Sequence, residues 1–583
     1  MSSPGEQSGS ETLEITKRLV APYLSGWSLR IYLFLLKYVP GLLSFVFWNT
    51  GLTSLRKLKL EECPTNLPLP IPKEYFGIKE TKVDEVKGLE IFEGNKSAQK
   101  NYSSEFLCAN DFHEAYLTKK ATPLQVCEIL IGKIEESLLC NPPLNAIIKY
   151  EREDIIEQAT ASTNRYADNR PLGPLDGVPI AVKDEMDVKG YETNVGTSFI
   201  NRGVIAKTDA TLIERLKKQG AIIIGKTSMH ELGLGISGNN PNVGTCRNPH
   251  NINHYPGGSS GGSAAAIASG LCPIALGCDG GGSIRIPSAF CGIYGLKTTW
   301  GRFSTKGEFS LDPTVAVSGP MSVSADDLAL AYYAMAGKDD EDPNTYYQPL
   351  PTLSGLYNTE NLSDLRIGIY KAWNKQVCNP AITQALNDFI EKLKSLGANI
   401  IEIDIPDLEE VRIAHVITIC SEISTSGKRY KEIFFKCNYD SRCNVELFSL
   451  ATASDYIIAQ QLRTRFMRNL SDLFNKQKID LILTPSTAIT APKIYPKSLK
   501  YGEADLETVS DAMRFVNFVN FAGIPAVSVP AGYDDKQLPI GLQFVAKWFD
   551  EATLLRIAKV SEEILGNKRK RPNDFWFGDL IPK

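Results

Sequence analysis

Two glycine-rich loops that carry serines are the residues whose types and spacing suggest chemistry. Residues 256–263 read PGGSSGGS, and the stretch from Cys278 reads CDGGGSIRIPS. Composition alone would allow a flexible linker, but apolar sequence lies on both sides of the first loop. Three successive glycines, Gly280 to Gly282, allow adjacent main-chain N–H groups to face one concavity beside Ser283. A serine next to such donors is the arrangement that acyl transfer requires.

A lysine precedes both loops in the chain. Lys183 ends the apolar run GVPIAVK and is followed by the acidic stretch DEMD. Such a lysine is most often an exposed strand end. If it is buried instead, desolvation would lower its pKa from about 10.4 and leave a neutral amine able to act as a base. The pattern by itself leaves both interpretations open.

Three further patterns are better explained without a separate site. GAIIIGKT at residues 220–227 matches a phosphate loop, but its four intervening residues predict a strand, which argues against nucleotide binding. Cys246, His250 and His254 lie among prolines and asparagines that disfavour a helix, so no metal site is expected. GGSSG fits a nucleophile elbow, but only one histidine, His415, follows the loops as a partner.

The composition is that of a large globular protein. The 583 residues are 43% hydrophobic and 22% charged, with a net charge of -4. This slightly negative net charge does not indicate a nucleic-acid-binding surface, and no nucleic-acid partner is expected. Twelve cysteines without a CxxC pair do not make a disulfide framework. The sequence therefore favours a reducing, cytosol-facing compartment for the main body of the protein.

The N-terminal part has a different character. Residues 29–52 are apolar over about the length of 20 residues that a membrane span needs. Lys37 and a Pro-Gly pair interrupt the run, which favours two short helices lying in one leaflet over a single span. Aromatic residues such as Tyr38 and Trp48 are typical of the bilayer interface. We therefore expect residues 1–65 to form a helical membrane-associating segment.

Beyond a connector at residues 66–104, the pattern alternates between strands and helices. A helix is predicted from Pro123, with Thr122 as its N-cap and Gln125 closing a capping box. Short apolar strands are expected at GVPIAVKD, AIIIG, LRIGIY, NIIEIDI and DLILTPS, with helices at DATLIERLKKQG, AITQALNDFIEKLKSLG and DEATLLRIAKVSEEIL. The alternation predicts one large α/β domain over residues 105–583, its sheet covered by helices on both faces.

Together these segments resemble the amidase signature family. GVPIAVKD, IIGKTSMHELGLG and the long block PGGSSGGSAAAIASGLCPIALGCDGGGSIRIPS carry the resemblance, which covers about residues 105–570. The family implies a single α/β domain around a twisted mixed sheet and a serine hydrolase that needs no cofactor or metal. By matching motif, the resemblance makes Ser283 the nucleophile, Ser259 the bridging serine and Lys183 the base. It places the oxyanion-hole amides on Gly280, Gly281, Gly282 and Ser283.

The glycines of the first loop also permit an unusual backbone. A cis peptide bond is expected before Ser259, in the loop that holds the bridging hydroxyl. The family mechanism passes a proton from Ser283 through Ser259 to a neutral Lys183, and returns it to the leaving nitrogen. A lysine base would explain how a chain with five histidines performs serine hydrolysis.

Within the family, the sequence is most similar to the plant-type fatty acid amide hydrolases and their relatives. KTSMHELG, the CDGGGS form and the N-terminal extension support this similarity, while Thr298 departs from the usual proline of GLKPT. The resemblance implies hydrolysis of fatty acid amides such as N-acylethanolamines. It also implies contact with a membrane surface through residues 29–52, at the endoplasmic reticulum or another intracellular membrane with the catalytic domain facing the cytosol. A homodimer is compatible with the sequence.

Three alternatives remain open at this stage. The chain could be the A-type subunit of a glutamyl-tRNA amidotransferase, to which GGSSGGSAAAIASG is equally similar. It could instead be an amidase for short-chain or aromatic amides. A protein of another class, a catalytically inactive membrane-bound scaffold, would keep the fold without the reaction, but the intact Lys183, Ser259 and Ser283 argue against it.

Overall fold

The computed structural model describes residues 15–19, 21–69, 106–427 and 433–582. The predicted connector at residues 66–104 therefore lies outside the described residues, apart from residues 66–69. In chain order the strands are β1 Leu24–Ser25, β2 Ile147–Lys149, β3 Pro179–Lys183, β4 Ile222–Thr227, β5 Ile274–Asp279, β6 Tyr294–Lys297, β7 Val317–Ser322, β8 Arg366–Ile369, β9 Asn399–Glu402, β10 Leu481–Pro485, β11 Glu503–Ala504, β12 Ala526–Tyr533 and β13 Pro539–Ala546.

The helices are distributed along the whole of the described chain. They are α1 Trp27–Tyr38, α2 Leu42–Asn49, α3 Ala109–Leu117, α4 Pro123–Leu139, α5 Arg152–Ala167, α6 Thr211–Lys218, α7 Gly261–Ala268, α8 Arg285–Cys291, α9 Ala325–Met335, α10 Lys371–Asn374, α11 Pro380–Ser395, α12 Leu408–Gly427, α13 Ile433–Lys436, α14 Tyr439–Phe448, α15 Ala453–Asn475, α16 Leu506–Met513, α17 Asn517–Ala522 and α18 Glu551–Leu565.

One mixed sheet organises the molecule. Within the described residues its eleven strands lie in the order β2-β4-β3-β5-β7-β6-β12-β13-β10-β8-β9. Strands β4, β3 and β5 are parallel to one another, and so are β10, β8 and β9. Every pair from β5 through β7, β6, β12 and β13 to β10 is antiparallel, as is the pair of β2 with β4. Along β10, Leu481 and Leu483 enter one hydrophobic core while Ile482 enters another. Alternate residues thus face two cores, which confirms a sheet covered on both faces.

The elements predicted from sequence are present. In α4, Gln125 N–H donates to Thr122 Oγ1 at 3.2 Å and Thr122 N–H donates to Gln125 Oε1 at 3.0 Å, so the capping box is confirmed. The five predicted strands correspond to β3, β4, β8, β9 and β10, and the three predicted helices to α6, α11 and α18. The sequence pattern did not reveal the antiparallel centre of the sheet, because the pairs β5–β7 and β12–β13 leave no local signal of which strand becomes a neighbour.

The N-terminal residues are joined to the main α/β domain by specific contacts. Strand β1 pairs with β11, and Arg18 forms an ion pair with Asp511 at 2.8 Å. Helix α1 buries Leu29, Leu33 and Leu36 against a small core that includes residues of α14. No helix in the described part of the chain is by itself long and apolar enough to cross a membrane. The helices α1 and α2 pass that test only as a pair, and they are bent by 110°.

Candidate active site

The strand order brings the predicted site residues together. Lys183 is the last residue of β3, and Asp279, just before the glycines, is the last residue of the neighbouring parallel strand β5. The carboxyl ends of adjacent parallel strands lie at the same edge of a sheet, where α/β proteins place ligands. Ser259 reaches this edge from the loop that enters α7, a helix that packs on β3 and β5. Lys183, Ser259 and Ser283 all line one cavity.

The loop PGGSSGGS is part of the core and not a linker. Each of its residues from 256 to 263 is buried. At Gly257 the φ angle is +90°, and a Cβ there would lie 2.7 Å from Cα of Pro287. Only glycine combines that backbone conformation with so close a neighbour. The peptide bond between Gly258 and Ser259 is cis, which confirms the expectation from the sequence.

Lys183 makes three polar contacts at the sheet edge. Its Nζ donates to Ser259 Oγ at 2.9 Å and to the Cys278 carbonyl oxygen at 3.3 Å. It also forms an ion pair with Glu185 Oε2 at 2.7 Å, although the angles of this contact do not fit a hydrogen bond. The lysine side chain is 1% exposed, so the exposed strand end is the wrong interpretation. The contact with Ser259 places an amine where it could exchange a proton with that hydroxyl.

The charge state of Lys183 differs from the sequence-based expectation. Burial, the largest single influence, favours the neutral amine, as predicted. The Glu185 carboxylate, with Cys278 and Asp312 nearby, outweighs this effect, so the pKa of Lys183 is raised above its ordinary value. The expectation of a lowered pKa was wrong because a carboxylate two residues further on turns back to face the amine. Lys183 is therefore charged in this arrangement.

Ser283 is joined to the first loop through the main chain. Ser260 N–H donates to the Ser283 carbonyl oxygen at 3.2 Å, which ties the two loops together. Across the described part of the chain, the Ser283 hydroxyl makes no hydrogen bond, and none joins it to Ser259. Both hydroxyls face the same cavity, so a relay between them requires a change of side-chain rotamer when a substrate binds.

The glycine loop is arranged around a buried carboxylate. Asp279 Oδ1 accepts from Gly282 N–H at 2.7 Å, and its Oδ2 accepts from Ile284 N–H at 3.1 Å. The Gly282 N–H thus donates to Asp279 within the loop and is not free to bind an oxyanion. This differs from the prediction, which counted Gly282 among the oxyanion-hole donors. The amides of Gly280, Gly281 and Ser283 have no acceptor among the described residues, and they remain candidates for that role.

Asp279 is itself held by charge and hydrogen bonds. Arg285 donates to both of its carboxylate oxygens, at 2.9 and 3.0 Å, and Asn520 Nδ2 donates to Oδ1 at 2.9 Å. All three side chains are fully buried. Although burial would raise it, the pKa of Asp279 lies well below its ordinary value because Arg285 and Asn520 stabilise the carboxylate. None of these three residues was predicted from the sequence, although an aspartate directly before three glycines was an available signal.

One histidine also supports the glycine loop. His415 lies on α12, and its Nε2 is 2.8 Å from the Gly280 carbonyl oxygen. Burial lowers the pKa of His415 to about 4, so the ring is neutral and donates its Nε2–H to that carbonyl. The only histidine after the glycine loops therefore positions Gly280, and it is not placed as the general base of a nucleophile elbow.

A cavity of about 230 Å³ leads to the two serines. Side chains from several helices and loops give it apolar walls, among them Leu232, Ile236, Val416, Ile419, Leu447 and Val509. Its acidic and basic groups at the sheet edge are Lys183, Glu185 and Asp312. Such a cavity suits a molecule with a long apolar part and one polar, reactive end.

The phosphate-loop match is a strand, as predicted. Residues Ile222–Thr227 form β4, which pairs with β3 on one side and β2 on the other. Its Lys226 is fully buried and faces Asp184 at 3.6 Å and the Met186 carbonyl oxygen. The main-chain N–H groups of this stretch belong to the sheet and do not form a phosphate cradle.

Comparison with known proteins gives concordant matches. The family described as Amidase matches residues 128–555. The fatty acid amide hydrolase of Medicago truncatula is 42% identical over 479 residues, which cover 80% of this chain and 77% of that protein. The fatty acid amide hydrolase of Arabidopsis thaliana is 38% identical over 578 residues, which cover 95% of each. Among solved structures, the peptide amidase PAM in complex with the competitive inhibitor chymostatin is 25% identical with a TM-score of 0.69, covering 80% of this chain and 98% of that one.

Proposed function

Because this chain belongs to the amidase signature family and is a serine hydrolase that acts on amides, we propose that its substrates are fatty acid amides, above all N-acylethanolamines. The observation that carries the proposal is the contact of Lys183 Nζ with Ser259 Oγ at the end of an apolar cavity that also holds Ser283. The plant fatty acid amide hydrolases that match most of the chain support the same substrate class.

The proposed reaction uses Ser283 as nucleophile. Ser259 takes the proton of the Ser283 hydroxyl while passing its own to Lys183, and Ser283 Oγ forms a bond to the carbonyl carbon of the amide. The free amides of Gly280, Gly281 and Ser283 stabilise the oxyanion. When the C–N bond breaks, the relay returns a proton to the leaving nitrogen, since an amine anion is a poor leaving group. Water then hydrolyses the acyl-enzyme by the same route.

Glu185 gives Lys183 a way to become the neutral base. In the ion pair, transfer of one proton from Nζ to the Glu185 carboxylate breaks an N–H bond, forms an O–H bond and removes both charges. The neutral pair holds the same number of protons as the charged pair, so no proton has to leave for solvent. Nζ and Oε2 lie 2.7 Å apart, so this route needs only a change of side-chain angles that aligns the N–H bond with the carboxylate.

The first prediction concerns the substrate. Purified protein should hydrolyse long-chain N-acylethanolamines with a kcat/KM at least about tenfold above that for short-chain or aromatic amides, since each buried methylene contributes about 0.8 kcal/mol. The measurement is a hydrolysis assay over a series of acyl lengths, with glutamine as a further substrate. Turnover of only short or aromatic amides would exclude the lipid-amide proposal, and turnover of glutamine alone would favour an amidotransferase subunit. A serine-directed fluorophosphonate probe that fails to label the protein would favour the inactive scaffold.

A membrane surface is the proposed partner of the N-terminal helices. The outer side of α1 and α2 exposes an apolar patch, defined as Trp27, Ile31, Phe34, Tyr38, Phe45 and Trp48, of which Trp27 is 66% and Phe34 60% exposed. The opposite side of α1 is already buried in the protein.

Thr50 and Leu52, directly after α2, line the cavity, so the cavity reaches the base of the patch. A lipid amide in a bilayer would enter from there. We propose that the protein lies at an intracellular membrane, with this patch in contact with lipid and the catalytic domain in the cytosol.

The second prediction tests this patch. The triple variant Trp27→Ser, Phe34→Ser, Trp48→Ser should bind phospholipid vesicles at least about 1,000-fold more weakly, because each buried aromatic side chain contributes about 1.5–3 kcal/mol. Vesicle co-sedimentation measures the binding, and a water-soluble short amide checks that the active site is intact. The matched control is the variant Leu139→Ser, Val204→Ser, which removes exposed apolar side chains elsewhere (84% and 60% exposed) and should bind normally. Equal binding by both variants would refute the patch as the membrane contact.

A further inference from the structure

An acidic residue of the cavity wall has no part in the relay described above. Asp312 lines the cavity on the segment before β7. Its carboxyl lies beside the glycine loop, because a Cβ at Gly280 would be 2.2 Å from Asp312 Oδ2. A side chain at position 280 and the observed Asp312 conformation thus exclude each other. The absence of a side chain at residue 280 makes the room that the carboxyl occupies.

The Asp312 carboxyl is available to a ligand. Apart from its own main-chain N–H, no donor or acceptor among the described residues forms a hydrogen bond with it. Glu185, the other acid of the cavity, is engaged by Lys183. A polar group that faces an apolar cavity without a partner is costly, and a polar group of the substrate would remove that cost. An acyl chain offers no such group, whereas the amine part of an amide can.

Its chemistry suits a hydroxyl group. Burial, with smaller contributions from the carboxylates of Glu185 and Glu422, raises the pKa of Asp312 to about 8. At neutral pH the group is a carboxylic acid, which can donate one hydrogen bond and accept another, as a hydroxyl can in return. The protonated form also places no negative charge beside the candidate oxyanion hole. Asp312 further lies close enough to Lys183 to influence its pKa, which places it near the relay that protonates the leaving nitrogen.

We propose that Asp312 is a specificity-determining residue that binds the hydroxyl group of the amine portion of the substrate, and so selects amides of amino alcohols. The inference rests on the proposed function, since it assigns the polar end of the same cavity. The acyl chain lies along the apolar walls of the cavity. The amine portion lies between Ser283 and the Asp312 carboxyl, which has room beside the glycine loop because residue 280 has no side chain.

The experiment compares two amides of one long-chain fatty acid. The N-(2-hydroxyethyl) amide carries the hydroxyl, and the N-propyl amide replaces it by a methyl group of similar size. The wild-type protein should prefer the hydroxyethyl amide by about tenfold in kcat/KM, which corresponds to one buried hydrogen bond. Asp312→Leu should lose this preference by losing activity on the hydroxyethyl amide alone. Asp312→Asn, whose amide can also donate and accept, should keep most of it.

Two controls separate the possible outcomes. Val416→Ala, on the apolar wall, should lower kcat/KM for both amides by the same factor. Fluorophosphonate labelling of Ser283 reports whether each variant is folded and has a reactive serine. If both amides are hydrolysed and their ratio is the same in wild type, Asp312→Leu and Asp312→Asn, the inference is overturned while the proposed function stands. If labelled wild-type protein hydrolyses neither amide, the proposed function fails, and the inference fails with it.

Discussion

The variant Ser283→Ala is expected to lose activity by about 10⁴-fold or more, the effect of removing the nucleophile from a catalytic unit whose members act together. The hydroxyl is the atom that forms the acyl-enzyme, so no other group at the sheet edge can replace it. The measurement is kcat for the best amide substrate, together with labelling by a fluorophosphonate probe, which should disappear. Because the Ser283 hydroxyl makes no hydrogen bond among the described residues, its loss should leave the melting temperature nearly unchanged.

A second serine of the same cavity provides the matched control. Ser510 also lines the cavity, but it lies on α16, away from the glycine loop. Ser510→Ala should retain labelling and hydrolyse the same amide with kcat within a few-fold of wild type. If Ser283→Ala kept normal turnover, or if the probe were found on Ser510, the assignment of the nucleophile would be wrong.

The variant Lys183→Ala is expected to lower kcat by about 10³-fold at neutral pH, within the range of general-base catalysis. Its loss should be smallest at high pH, where hydroxide ions can take over part of the proton removal. The measurement is a pH profile of kcat for wild type and variant over the same range. A constant ratio of the two activities at all pH values would contradict a role for Lys183 in proton transfer.

The variant Lys183→Arg distinguishes the role of Lys183 as a base from its role as a positive charge. An arginine can keep the ion pair with Glu185, but its guanidinium stays protonated and cannot accept a proton from Ser259. We expect this variant to be about as inactive as Lys183→Ala while remaining closer to wild type in thermal stability, since no buried carboxylate is left unpaired. Activity near that of wild type would show that position 183 supplies only positive charge.

The support of the glycine loop explains why the site depends on distant parts of the chain. Asp279 fixes the Gly282 amide, Arg285 and Asn520 hold Asp279, and His415 holds the Gly280 carbonyl oxygen. Asn520 and His415 come from α17 and α12, more than 130 positions along the chain from the loop. The candidate oxyanion amides therefore keep their direction only when these helices are packed against the sheet.

The sequence by itself determined the local features of this protein. Apolar runs with β-branched residues predicted β3 and β4, and a T-x-x-Q pattern predicted the start of α4, because these signals depend on neighbours within a few residues. The glycines of PGGSSGGS and CDGGGS were sufficient to mark Ser259 and Ser283 through the family resemblance. Glycine is required there because neighbouring main-chain atoms approach closely and some φ angles are positive. The residue type alone therefore reveals this requirement.

The tertiary structure alone decided which groups face one another. The adjacency of β3 and β5 placed Lys183 against Ser259, and the turn after β3 brought Glu185 back to the amine, which reversed the expected direction of the lysine pKa. The same packing brought Asp312 into the space left open at Gly280. These contacts depend on strand order and on side-chain directions set by packing between segments far apart in sequence. The pKa of Lys183 and the space beside Gly280 both depend on groups brought together by folding, so no local pattern of residues could predict them.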